Sequence, residues 1–291
     1  MKQAKFDWFD VLNYTLLILF CLLTIYPMIF VLSGSLNDGI DYLRGGVYFW
    51  PRKHTLANYS AILRDRRLII GYRVTVLRSV IGTATHLLFT SMVAYGMSRR
   101  YLRFRNTYWW INIFTLFFSG GLIPIFMVLK TLGFINTFNV YITPLIYSVF
   151  NMIILHNFFR TIPDEVHESA MMDGASDFRI WLQLYMPLSK PALATIALWT
   201  AVFHWNAFFD SMVFTSDPDL ATLQLYLMKL IKESGTIPDP RGLIPAEVKI
   251  QFTAETIRLA AIVVSVIPIL MIYPFLQRYF VKGIFLGSLK G

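Results

Sequence analysis

The chain has 291 residues, of which 56% are hydrophobic and only 15% charged, and its formal net charge is +9. That is more apolar surface than a soluble domain of this length can hide, so the composition excludes an ordinary globular protein and predicts an integral membrane one. The cations are scattered between apolar intervals, with no basic face interleaved with aromatics, which excludes a nucleic-acid surface.

Six intervals lack Asp, Glu, Lys and Arg: 11–37, 79–98, 106–129, 131–159, 191–209 and 259–277. About 20 mostly apolar residues cross a bilayer, so they predict six spans at about 11–34, 74–98, 106–129, 139–159, 190–210 and 258–278. The runs are continuously apolar rather than alternating with period two, which favours an all-α integral membrane fold over a barrel. The whole chain, 1–291, is expected to form a single membrane domain. Span one is long and lacks an A-x-A-like cleavage site, so it reads as retained rather than as a signal peptide. The lone cysteine, Cys21, lies inside it and leaves no intramolecular disulfide to form.

The segment 37–72 then carries Arg44, Arg52, Lys53, Arg64, Arg66 and Arg67. On span two, at 100° per residue, Thr75, Arg78, Ser79, Gly82, Thr83, His86 and Thr90 fall within an arc of roughly 140°. Leu77, Val80, Ile81, Ala84, Leu87 and Leu88 occupy the other side, with Thr85 and Phe89 as the imperfections. One face is expected to meet lipid and the other a water-filled path. The short loop after it holds Arg99, Arg100, Arg103 and Arg105, against Lys130 alone after span three. The bias of short loops predicts that the arginine loop and both termini are cytoplasmic, since the longer, cation-bearing 37–72 segment translocates with less regard to charge.

Between spans four and five lies a polar loop, 160–189. Thr161, Pro163, Asp164 and Glu165 supply a capping hydroxyl, a proline near the first turn and acids where the helix dipole favours them. Gly174 ends that helix, Ser176 caps a second, and Pro187 stops it. From Asp164 to Asp177 there are five acids and no Lys or Arg. Such a segment gains nothing on an anionic leaflet and suits a protein surface, although a plain solvated loop has the same caps.

After span five, Leu220, Leu223, Leu227, Leu230 and Ile231 recur at helical spacing, and Gly235, Pro238, Pro240, Gly242 and Pro245 then impose an irregular loop. No G-x-x-x-x-G-K-[ST] motif is present to cradle a nucleotide. His54, His86, His156, His167 and His204 show no metal-ligand spacing, so no metal and no intrinsic catalysis is expected.

The pattern Glu168-Ser169-Ala170-x-x-Asp173-Gly174-Ala175, followed by Leu184-x-x-Pro187-Leu188-x-x-Pro191, resembles the EAA loop of binding-protein-dependent ABC importer permeases of the maltose-type carbohydrate branch. Ser169 stands where an alanine is usual. Ala94-Tyr95-Gly96-Met97-Ser98-Arg99, Gly120-Gly121-Leu122-Ile123-Pro124, Trp205-Asn206 and Gln277-Arg278-Tyr279-Phe280-Val281-x-Gly283 extend the likeness over residues 10 to 291. Within the family it is nearest to permeases for complex polysaccharide fragments, including acidic ones.

The resemblance implies a type I importer permease of the cell's cytoplasmic (inner) membrane that pairs with a second, different permease. Two ATP-binding subunits would use the ATP and Mg, and an extracytoplasmic solute-binding protein would deliver the sugar. Glu168, Ser169, Ala170, Asp173, Gly174, Ala175 and Pro187 would form the element coupled to the ATPase. Glu168 would contribute a charged contact, Ala170 would allow close packing and Gly174 would make the turn. The tail Gly287 to Gly291 would reach toward the ATPase, and the loop after span five would probe the docked binding protein.

Candidates for the sugar path are Arg78, His86, Asn151, His204, Trp205, Asn206 and Asp210. A buried arginine costs about 2.5 to 3.5 kcal/mol at a helix centre, so Arg78 either attracts an anionic sugar such as a uronate or snorkels to the interface. His86 reads equally as a hydrogen bond between helices, and Trp205 as part of an aromatic belt. Two other classes compete. A secondary transporter needs carboxylates within its spans, and none lies in the six intervals. A non-transporting membrane assembly protein needs neither polar stripe nor acidic loop.

Overall fold

The computed structural model describes residues 8–232 and 253–288, and among these the chain is helical, with one isolated bridge between Asn37 and His54. The predicted irregular stretch from Gly235 to Pro245, the terminal Lys2 and Lys5, and the last three residues of the tail expected to reach the ATPase lie outside the described residues.

Helix α1 (Trp8–Ser35) is 28 residues of almost unbroken apolar sequence, and its most apolar stretch has no buried residue, as befits a helix whose solvent is lipid. Short helices α2 (Gly39–Leu43) and α3 (Ala57–Leu63) lead into α4 (Arg66–Ser98), a 33-residue rod. Together with α14 (Ala254–Ser288), α1 and α4 are long and apolar enough to cross a membrane singly.

The remaining predicted spans are bent. Helices α5 (Arg105–Phe117) and α6 (Leu122–Thr131) meet at 115° across the Gly120–Gly121 break, where Gly121 has φ 83. The 3-10 turns Phe138–Tyr141 and Thr143–Leu145 meet α7 (Val149–Phe159) at 50°. Three single helices and three bent pairs make up to six spans.

The continuous helix expected over 106–129 is therefore two pieces, because the glycine pair leaves no side chain to hold helical geometry. The fifth expected span, 190–210, is shorter as well. Helix α11 (Lys190–Asn206) stops before Ala207, whose ψ of 127 is extended, and α12 (Phe209–Phe214) begins anew. A 3-10 turn (Pro218–Leu220) and α13 (Leu223–Lys232) follow.

The described residues group into two compact units. One joins the chain up to Ile69 with Leu227–Ile267, and the other joins Ile70–Tyr226 with the chain from Pro268 on. Within the second, Met97 of α4, Met152, Leu155 and Phe159 of α7 and Ile196 of α11 share a buried cluster with Ile180, Trp181 and Tyr185 of the polar loop. That cluster is the pedestal on which the loop stands. A second cluster packs Val74, Leu129, Val140, Tyr141 and Phe214 together.

Candidate functional site

The polar loop is a helix, a glycine turn and a second helix that widens into a π turn. Helix α8 (Asp164–Met172) starts with Pro163 at its N-cap and Asp164 and Glu165 in its first turn, against the positive end of the helix dipole. The hydroxyl expected to cap it, Thr161, instead donates to Phe158 O at 2.7 Å, one turn back, and so closes α7. At the far end Gly174 has φ 79; its N–H donates to Met171 O and that of Ala175 to Ala170 O, each at 3.0 Å. This pair of bonds is the Schellman closure, which needs a left-handed residue where only glycine is unstrained.

Ala170 and Ala175 pack onto the pedestal, while Glu168, Ser169, Met171, Met172 and Asp173 are exposed, Met172 to 89%. The alanines thus fix the loop's height, and the acids and methionines form its outward surface. Helix α9 (Asp177–Ile180) has Ser176 at its N-cap, with no side-chain bond from it. It opens into a π turn (Trp181–Tyr185) and then α10 (Met186–Leu188), the N–H of Met186 reaching back to Trp181 O. Pro187 has no N–H to continue the regular ladder, and a widened turn accommodates it.

Under the loop lies a cluster that sequence reasoning missed. Asp177 accepts from the Tyr95 hydroxyl at 3.0 Å and from the Tyr101 hydroxyl at 2.5 Å. His167 sits with Nδ1 3.4 Å from the Tyr95 hydroxyl, its ring stacked on Tyr101 at 6.0 Å and edge-on to Tyr185 at 6.5 Å. The buried Arg99 guanidinium covers the rings of Tyr185 at 4.7 Å and Tyr95 at 5.1 Å.

Burial, reinforced by Asp177, pushes the Tyr101 phenol up to about 12, so its hydroxyl remains a donor. Burial and then Arg99 push His167 below its ordinary value, so its ring stays neutral. The Ser98 end of α4 is therefore bonded to the loop. The one clue in the sequence was that Tyr95 and Arg99 belong to the Ala94–Arg99 segment of the family likeness.

The path candidates divide into pairs. Arg78 is fully buried and forks onto Asp210, Nη1 to Oδ1 at 3.0 Å and Nη2 to Oδ2 at 2.5 Å. Its Nη1 also reaches Ala207 O at 3.4 Å, and its Cζ lies 4.6 Å over the Tyr141 ring. The Tyr141 hydroxyl in turn lies 2.6 Å from Leu220 O and 3.0 Å from Ser211 Oγ. Arg78 therefore neither snorkels nor offers a free cation: it binds a carboxylate that stands just past the fifth uncharged interval.

His86 and Asn151 form the second pair. His86 Nδ1 is 2.7 Å from Leu145 O, and Asn151 Nδ2 is 2.9 Å from Nε2. The carbonyl requires Nδ1 to carry the proton, which leaves Nε2 to accept, so the histidine is a bridge between helices. His204 is fully buried above Gly82, where an added Cβ would fall 2.6 Å from His204 Cε1. Trp205 meets Tyr72 edge-on at 6.0 Å, and the exposed Asn206 bonds back to Val202 O at 2.9 Å.

A cavity of about 1180 Å³ opens beside these residues, walled by aromatic and aliphatic side chains including Trp199, Phe203, Trp205 and Phe209, with Asn206 and Asp210 as polar points. Most of the polar stripe of α4 does not line it. Thr75, Arg78, His86 and Thr90 are buried against other elements, and α4 gives the cavity Val76, Ser79 and Val80. Thr75, Arg78 and His86 of the stripe bond to other elements, and polar side chains with protein partners inside a membrane produce the same periodicity as a water-facing wall. Among the described residues no three His, Cys, Asp or Glu side chains gather as a metal site would require.

The family model for the binding-protein-dependent transport system inner membrane component matches residues 87–286. The polygalacturonan/rhamnogalacturonan transport system permease protein YtcP of Bacillus subtilis (strain 168) is 37% identical over 288 residues, covering 97% of this chain and 98% of that one. Protein LplC of the same organism is 35% identical over 287 residues, covering 97% and 95%. Among solved structures, a chain of a bacterial ABC transporter involved in the import of the acidic polysaccharide alginate matches with a TM-score of 0.89 at 33% identity, covering 96% of this chain and all of that one. The chain belongs to the family of binding-protein-dependent transport system inner membrane components.

Proposed function

We propose that this chain is one of two different permease subunits of an ATP-driven ABC importer for oligosaccharides of the acidic, uronate-containing class. It forms part of the path, and the exposed surface of α8 and its glycine turn receives force from a dimer of ATP-binding subunits, where ATP and Mg are used. An extracytoplasmic solute-binding protein delivers the sugar. The protein is multi-pass in the cytoplasmic membrane, with the loop and both termini inside the cell.

The observation that carries this reading is the polar loop itself: a rigid helix, closed by Gly174, seated on the pedestal by Ala170 and Ala175 and bonded to α4 through Asp177. A loop with only a connecting role needs no such fixation, whereas a lever does. Glu168, Asp173 and the two methionines give a motor subunit both charge and apolar contact. The aromatic wall of the cavity suits sugar faces, and Asn206 supplies an edge hydrogen bond. The acidic class is supported by the substrates in the names of YtcP and of the alginate importer, not by Arg78, whose charge Asp210 neutralises.

The test is to purify the assembly with its partners, reconstitute it in nanodiscs and measure ATP turnover with oligogalacturonate or neutral maltooligosaccharide, each with the binding protein. Turnover is expected to rise with the acidic sugar. Absence of any copurifying ATP-binding subunit, or equal turnover with and without every sugar, refutes the proposal.

A further inference from the structure

At the Ser35 end of α1 the chain folds back along the spanning helix in a pinned loop. Asp38 N–H donates to Lys53 O at 2.8 Å, Lys53 N–H to Asn37 Oδ1 at 2.9 Å and Thr55 N–H to Leu36 O at 2.9 Å. Arg52 holds Asp41 twice, Nε to Oδ2 at 3.0 Å and Nη2 to the carbonyl at 2.9 Å, and Val47 is buried beneath. The loop is thus built to a fixed shape. What it projects is apolar: Tyr48, Phe49 and Trp50 are 57%, 65% and 75% exposed.

A fixed loop that displays three aromatic rings needs an occupant, and its neighbour on α1 identifies one. The Phe49 ring lies 5.3 Å from that of Tyr26. Tyr26 is nine residues short of Ser35, or roughly 13 Å down the helix axis at 1.5 Å per residue. The uncharged part of α1 runs from Val11 to Ser35, roughly 37 Å against about 30 Å of hydrocarbon, so a centred stretch overhangs by roughly 4 Å at each end. Tyr26 therefore lies roughly 9 Å inside the acyl region, on a stretch with no buried residue.

A ring in contact with it reaches the same layer. The irregular backbone of the loop must stay at headgroup depth, where water satisfies its polar groups. The neighbouring cations Arg44 and Lys53 are exposed at that level, where lipid phosphates lie.

We propose that the Tyr48–Phe49–Trp50 tip is a membrane-interface anchor that inserts its rings into the leaflet at the Ser35 end of α1. It fixes that end of the helix against vertical movement.

The test places a nitroxide on Trp50→Cys in a Cys21→Ala background and reconstitutes the chain in phosphatidylcholine and phosphatidylglycerol vesicles. Power saturation compares oxygen, which partitions into lipid, with nickel-EDDA, which stays in water. The same label on Leu17→Cys of α1 and Glu165→Cys of α8 gives lipid and water references. The Trp50 position is expected to favour oxygen as Leu17 does. Behaviour like Glu165 places the tip in water, and shielding from both reagents places a protein over it; either overturns the proposal. In unlabelled protein, brominated lipids are expected to quench wild-type tryptophan fluorescence more than that of Trp50→Phe, and equal quenching counts against the anchor.

Discussion

The fork between Arg78 and Asp210 makes a graded prediction, because its two partners do not share the same environment. Arg78 is fully buried, whereas the Asp210 side chain keeps 18% of its surface and lies on the cavity wall. Breaking a buried ion pair by removing one partner costs about 3 to 5 kcal/mol, because the other charge is left uncompensated.

Asp210→Leu strands a guanidinium with no route to water, so it is expected near the top of that range. Arg78→Leu leaves a carboxylate that the cavity can hydrate, so it is expected to cost roughly 2 kcal/mol less. The double variant, Arg78→Leu with Asp210→Leu, removes both charges and is expected to be no worse than the milder single variant. The assay is thermal and denaturant unfolding of the detergent-purified chain, followed by hydrogen exchange over 207–222, the segment around the break that Arg78 spans. Equal costs for the two single variants, or effects that simply add in the double variant, would refute the uneven burial of the pair as the cause.

Gly174→Val is expected to cost roughly 1 to 2 kcal/mol from left-handed strain alone, because a Cβ there meets nothing within 4 Å; Gly174→Asn should cost less, and sugar-stimulated ATP hydrolysis should fall in the same order. Gly82→Ala should cost about 1 to 3 kcal/mol through overpacking, with His204→Ala relieving it in the double variant because His204 is the side chain it strikes. Tyr95→Phe and Asp177→Ala should both raise the ATP hydrolysed per sugar while leaving the protein in the membrane; an unchanged ratio removes α4 from the coupling route.

The last concerns pH. His167 is held below its ordinary 6.5 by burial and then by Arg99, against the weaker pull of Asp177, Asp164 and Glu168. Below 6.5 the detached loop binds a proton that the seated loop resists, so seating is complete above that value and weakens as pH falls from it toward the depressed one. Hydrogen exchange over 164–188, corrected for its intrinsic pH dependence, should show this in the wild type and not in His167→Gln; equal protection at both pH values would refute it.

How much of this was legible in the sequence depended on the range of the interaction. The long apolar intervals predicted α1 and α4 because hydrophobic length is a local property. Gly174 with Asp164 and Glu165 predicted α8 because caps are local too. The bend at Gly120–Gly121 was visible as residues but not as an angle, since two glycines permit a break without requiring one.

Arg78 and Asp210 were each singled out, yet nothing local joins side chains 132 positions apart. His86 and Asn151, 65 apart, were likewise separate candidates until the fold brought them together. The Asp177 cluster was missed because nothing local joins Tyr95 and Tyr101 to an acid 82 and 76 positions away. The capping role expected of Thr161 failed for a different reason. A hydroxyl there can close the preceding helix as readily as open the next, and Pro163 already occupies the N-cap.

Helix α4 gives these observations a common geometry. From Tyr95, bonded to the loop through Asp177, to Arg78, which grips the break between α11 and α12, it runs without proline or interruption. At 1.5 Å per residue the two points lie roughly 25 Å apart on one stiff rod. On the proposed function, a push on α8 that displaces Asp177 would reach Asp210 along this rod, whereas α11 would receive it only through an 84° bend at Ser189. Bends absorb motion that rods transmit. The position of the fork, at the edge of the cavity and on the discontinuity in its wall, is where a rigid displacement of α4 would change the cavity's shape, and a charge pair is suited to that place because its geometry is directional where apolar packing is not.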